Sequence, residues 1–238
     1  MTFIIAEAGI NHCGSLLMAL DMVDVAKEAG ADAVKFQLFL PESMPAASRH
    51  VLRGLCLSYS KMRIVAERCD RVGIEFMCTA FCLDTLQEVE RLGVKRIKIG
   101  SGQVMDKKFV SAVGEIGLPV IMSNGLVSMS VLADAVDILD THRIDPTILY
   151  CVSKYPAADS EVDFSHVRIL RNYFGYRDVG YSDHTRTIGW CVAAAATGAD
   201  VIEKHFTLSR KLDGPDQICS AEPKELRSMV LHIRNPRI

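Results

Sequence analysis

The sequence predicts a closed parallel (β/α)8 barrel forming one domain, 1–238. Two observations carry this. A helical stretch, a glycine, one to three residues and then a buried apolar run recur along the chain, and such runs alternate with amphipathic patterns over eight units. The length of 238 residues suits one α/β barrel, and 49% hydrophobic residues supply a large core. An open doubly wound sheet is the alternative, but no Gly-x-Gly-x-x-Gly follows the first strand.

The elements follow in order. The first strand is residues 3–6, and the helix Leu16–Ala29 ends at Gly30 before a strand over 33–37. Residues 41–57, rich in Pro, Ser and Arg, read as a mobile loop with a short helix above the second strand. Helix 59–71 and Gly73 precede strand 74–78. Helix 83–92 and Gly93 precede strand 96–99, and Gly117 precedes strand 119–122. Helix 131–139 leads to strands beginning at Thr147 and Asp178. An Ala-rich helix, in which Trp190 reads as core, ends at Gly198 before strand 200–203, and residues 223–233 form the last helix. Glycine closes a helix in the left-handed conformation at little steric cost, so the recurrence marks helix exits.

A net charge of -2 offers no general attraction to nucleic acid or acidic membranes, which points to small-molecule partners. The eight cysteines are dispersed without a CxxC pair; Cys78 and Cys82 read as reduced core or loop thiols. With no cationic leader and no long apolar span, a reducing cytoplasm is the expected compartment.

Polar residues concentrate where strands end, and in a barrel those ends build the catalytic face. The first strand is followed by Glu7, the second carries Lys35 and Gln37, and the third ends in Thr79. Lys98, Ser101 and Gln103 close the fourth, Ser123 the fifth, Ser153 and Tyr155 the sixth. Ser182, Asp183 and His184 end the seventh, and Glu203 and His205 the eighth. On consecutive parallel strands His184 and His205 emerge at the same rim. Two neutral imidazoles suit a divalent ion and leave coordination positions open. The two lysines, among hydroxyls and glycines, suit a phosphate or carboxylate. His12 reads as a turn residue.

Ile-Ile-Ala-Glu-Ala-Gly-Ile-Asn-His-Cys-Gly from Ile4, Ala-Val-Lys-Phe-Gln from Ala33 and Lys-Ile-Gly-Ser-Gly from Lys98 resemble the N-acetylneuraminate (sialic acid) synthase family. So do Tyr-Ser-Asp-His-Thr from Tyr181, Ile-Glu-Lys-His-Phe-Thr from Ile202 and Gly-Pro-Asp-Gln-Ile-Cys-Ser from Gly214. The likeness runs in order over essentially the whole chain. It implies condensation of phosphoenolpyruvate with the open-chain aldehyde of an N-acyl hexosamine, typically N-acetylmannosamine, to a nine-carbon 2-keto sugar acid and phosphate. It also implies manganese or magnesium on His184 and His205, Glu7 placing a water or the sugar, Asp216 gripping sugar hydroxyls, and Ser153 and Tyr155 near the substrates. Three departures accompany the likeness. Gln103 stands where the family commonly has a glutamate proposed to move a proton, Ser153 and Asn124 replace asparagine and threonine, and the family's antifreeze-like C-terminal lid is absent. The oligomeric state stays open, with a homodimer or a separate lid chain as the candidate cover, and the chain reads as a fragment, a split gene product or a minimal homologue. The alternatives are a Schiff-base aldolase and a non-catalytic or impaired homologue that binds phosphoenolpyruvate or sugar.

Overall fold

The computed structural model describes residues 1–44, 46–175 and 177–235. Its strands close in sequence order as a parallel barrel: β1 Phe3–Gly9, β2 Ala33–Leu38, β3 Glu75–Ala80, β4 Ile97–Ile99, β5 Val120–Ser123, β6 Thr147–Cys151, β7 Val179–Asp183 and β8 Val201–His205. The helices are α1 Leu16–Ala29, α2 Arg49–Arg53, α3 Tyr59–Val72, α4 Leu83–Arg91, α5 Lys107–Ile116, α6 Met129–Thr141, α7 Ser165–Phe174, α8 Gly189–Ala196 and α9 Pro223–Arg234.

Local chemistry explains the boundaries. Ser15, Ser58 and Ser128 each accept a backbone N–H of the first turn of α1, α3 and α6, and Asp106 accepts two at the start of α5. The glycines of the repeat, Gly30, Gly73, Gly93, Gly117 and Gly198, all have positive φ, the conformation their recurrence predicts. Residues 41–57 contain a 3-10 turn, Pro41–Ser43, and the short α2, as expected; Pro45 in this stretch lies outside the described residues.

Strand alternation sends every second side chain into the barrel, and the inside is stratified. At the bottom Arg96 lies 4.3 Å from the centroid of the Phe3 ring and its Nε is 2.6 Å from Glu75. Above it Ile5, Ala33, Met77, Ile121, Leu149 and Val201 form an apolar floor, distinct from the larger core between strands and helices. Gly180 sits beside this floor, where an added Cβ would overlap the Val201 carbonyl.

Trp190 packs against the core, as expected, but only part of it is covered. It is half-buried on the flank of the barrel, edge-on to Phe164, with its indole N–H donating to Asp159 at 2.7 Å. Cys191 and Ala194 are the buried residues of α8, so the apolar sequence hid which side of the short helix faces inward. Among the described residues no helix is long and apolar enough to cross a membrane.

Candidate active site

One layer above the floor the barrel turns charged. Register sets Glu7 beside Lys35, Thr79 beside Lys98, and Ser182 beside Glu203. Lys35 Nζ lies 3.1 Å from Glu7 Oε2 and 3.2 Å from Glu203 Oε2, and donates to Thr79 Oγ1 at 3.1 Å. Lys98 Nζ donates to Ser123 Oγ at 2.7 Å and is 3.8 Å from Glu203 Oε1. Ser182 donates to Glu203 Oε1 at 2.8 Å, and Gln37 Nε2 to Glu7 Oε1 at 2.9 Å. All these side chains except that of Gln37 are buried.

Burial opposes each of these charges, and the neighbours decide the outcome. Burial raises the Glu7 carboxyl to about 7 despite Lys35, helped by the adjacent Glu203. Glu203 faces both lysines, and their attraction outweighs its burial, holding it down near about 2. Burial likewise opposes the Lys35 charge, but Glu203 and Glu7 together raise its pKa above the ordinary lysine value. For Lys98 burial wins and the pKa falls. A buried ammonium with its nearest carboxylate at 3.8 Å gains from any anion that enters.

The rim holds the imidazoles. His184 Nδ1 is 2.7 Å from the Val152 carbonyl. A carbonyl only accepts, so Nδ1 carries the proton and Nε2 keeps a free lone pair. His205 lies with its ring centroid 5.5 Å from that of His184, and its buried Nδ1 has no hydrogen-bond partner. Burial lowers His184 to about 4; burial and then His184 drive His205 well below the ordinary histidine value. Two adjacent neutral imidazoles, one with its tautomer fixed and one with an orphaned nitrogen, fit a divalent ion. Among the described residues no group of three or more His, Cys, Asp or Glu assembles as a ligand cluster, so two protein ligands would leave positions open. Tyr155 lies 4.1 Å over the His184 ring, and Asp216 Oδ2 is 3.8 Å from His205 Nδ1; burial raises the Asp216 carboxyl to about 6.

A cavity of ≈ 300 Å³ opens above the charged layer. Glu7, Lys35, Gln37, Thr79, Lys98, Ser101, Gln103, Ser123, Ser153, Tyr155, Ser182, His184 and His205 all line it. The loops reinforce one another: Gly125 N–H donates to Ser101 Oγ at 3.0 Å, and Asn124 Oδ1 accepts the Cys151 N–H at 3.2 Å. His12 stays out of the cavity, its Nδ1 accepting the Gly14 N–H within its own turn.

A family model described as the NeuB family matches residues 22–237. The chain belongs to the NeuB family. Among its relatives the NeuB chain is 36% identical to the N,N'-diacetyllegionaminic acid synthase of Legionella pneumophila, over 98% of this chain and 71% of that protein. It is 32% identical to human N-acetylneuraminate-9-phosphate synthase, over 98% and 69% respectively. The solved N-acetylneuraminic acid synthetase of Leptospira borgpetersenii, in complex with citrate, superposes with a TM-score of 0.94 at 35% identity, covering 98% of this chain and 82% of that one. A truncated 3-deoxy-D-arabino-heptulosonate 7-phosphate synthase of Thermotoga maritima, at 16% identity and a TM-score of 0.77, shares the fold alone.

Asp183 corrects the sequence reading of this NeuB site. Its side chain points away from the cavity, accepting from Lys204 Nζ at 2.9 Å and from the Tyr181 hydroxyl at 2.9 Å. Ser182, Asp183 and His184 are not one environment: strand alternation turns Asp183 outward when its neighbours turn inward. The same rule exposes an omission. Cys151, two residues before Ser153, lines the cavity, as do Phe81 and Leu126, whose loop positions carry no periodic signal.

Proposed function

We propose that this NeuB chain is a phosphoenolpyruvate-dependent sugar-acid synthase that joins phosphoenolpyruvate to the aldehyde of an N-acyl hexosamine such as N-acetylmannosamine. The observation that carries this is Lys98, a buried cation short of counter-charge, lying beneath two neutral imidazoles in one cavity. The sequences of named sugar-acid synthases support the same reading.

In this reading Lys35 and Lys98, with Thr79, Ser101, Ser123 and Ser182, receive the phosphate and carboxylate of phosphoenolpyruvate. Gln37, Tyr155, Ser153 and Asp216 hold the sugar. His184 and His205 hold manganese or magnesium, which when bound polarises the aldehyde oxygen as a Lewis acid. The bond from C3 of the enol to the aldehyde carbon forms in this cavity, water adds at C2, and phosphate departs with cleavage of its bond to C2. The proton leaving that water needs an acceptor. Gln103 has none to offer at neutral pH, and Glu203, held ionised by two lysines, is a weak base. Glu7, raised to about 7, is poised to take it. Holding both reactants together supplies orientation, and the lysines supply charge stabilisation.

A cover over the sugar belongs to this proposal, and so does a cytoplasmic setting, where the eight free thiols would persist. Metal-dependent phosphate release from phosphoenolpyruvate and N-acetylmannosamine with manganese, with diacetylated hexosamines in parallel, tests the activity. Release that depends on the amino sugar is expected. Phosphoenolpyruvate binding without release from any acceptor would refute the synthase and leave a binding protein. Gln103→Glu is expected to raise turnover, since it adds a proton acceptor to the cavity wall.

A further inference from the structure

Resting on the reading of His184 and His205 as metal ligands, a second structure on the outer side of the same strands acquires a purpose. Asp183 and Lys204 are register partners across β7 and β8, each one residue before a histidine. Alternation points them into the layer between barrel and helices, where both are fully buried. Lys204 Nζ donates to Asp183 Oδ2 at 2.9 Å and to the Thr185 carbonyl at 2.6 Å. Asp183 Oδ1 accepts from the Tyr181 hydroxyl and the Thr185 N–H, both at 2.9 Å, and the Cys191 thiol of α8 reaches Oδ2 at 3.3 Å.

A buried ion pair adds little stability over an apolar pair of the same volume, because desolvation offsets the attraction. What it adds is a fixed geometry. Here it fixes the residue before each histidine and, through both backbone groups of Thr185, the residue after His184. We propose that the Asp183–Lys204 pair is a positioning device that sets the spacing and orientation of His184 and His205 for a divalent ion. Neither residue touches substrate; both act through the histidines, as outer partners of metal ligands commonly do.

The test measures manganese affinity, the visible absorption of bound cobalt(II) and the thermal midpoint in the full chain. The wild type is expected to bind both ions, and His184→Ala to lose them. The double variant Asp183→Leu with Lys204→Met is expected to fold with a thermal midpoint lowered by the buried Tyr181 hydroxyl and Thr185 backbone groups it leaves unpaired, and to bind manganese about 10–100-fold more weakly with an altered cobalt spectrum. A folded double variant with wild-type affinity and spectrum would overturn the positioning role and leave the metal reading intact. A wild type that binds neither ion, or a His184→Ala protein that binds both as well, would overturn the metal reading and this inference with it. Should the double variant not fold, Tyr181→Phe, which removes one hydroxyl from Asp183, decides: about threefold weaker manganese binding is expected, and unchanged affinity overturns the proposal.

Discussion

Glu7 and Glu203 sit in the same layer, yet their surroundings part them. An unfolded glutamate titrates near 4.5 and Glu7 in the barrel near about 7, so between those values the native state holds the extra proton. Its contribution to stability is full below 4.5 and is lost as pH climbs through 7. Activity that needs its carboxylate moves oppositely. Turnover is expected to rise as pH increases through about 7, and Glu7→Gln to remove that limb; a limb that persists in the variant would acquit Glu7. Lys35 counters two buried carboxylates, and removing one partner of such a group costs about 3–5 kcal/mol. Urea denaturation of Lys35→Met should show a loss of that size. These residues were legible in the sequence because a lysine or glutamate late in an apolar strand is conspicuous. Their titration was not, since it depends on which neighbour lies across the strand.

At the level of elements, the caps and glycine exits set the boundaries: α1 and the strand starts at Ala33 and Thr147 stand where the pattern put them. Orientation was harder to read. Strand alternation and helical periodicity split a stretch of chain between two environments: Asp183 faces the helices while Ser182 and His184 face the cavity, and Trp190 meets the core with only part of its ring. Loop contacts were beyond sequence reasoning altogether. At Gly125, in the loop between β5 and α6, an added Cβ would overlap Ser153 Oγ and Cys151 Sγ at the cavity wall. Crowding of this kind costs about 1–3 kcal/mol. Gly125→Ala is therefore expected to lower the thermal midpoint by a few degrees and, by displacing Ser153, to raise KM for the amino sugar about tenfold in steady-state assays. An unchanged KM would place the substrate elsewhere.

Across the whole molecule, stability and chemistry occupy different layers. The apolar floor is a packed core in its own right, and truncating a large side chain there leaves a cavity that strand backbones cannot close. Met77→Ala should cost about 2–5 kcal/mol by chemical denaturation, with substrate affinities little changed because Met77 does not line the cavity. The barrel itself was fully legible, since eight alternating units leave one closed solution. The arrangement of the loops over its mouth was not, because irregular segments leave no periodic trace.

The floor also makes the well blind. Lys35 and Lys98 stand in the layer directly above that floor, whereas His184 and His205 line the same cavity at the carboxyl ends of β7 and β8. On the proposed chemistry the enol phosphate is expected to board before the aldehyde and inorganic phosphate to leave after the longer product, an order that product-inhibition patterns would show. Such a cycle would be ordered like a stack, with the last reactant in linked to the first product out.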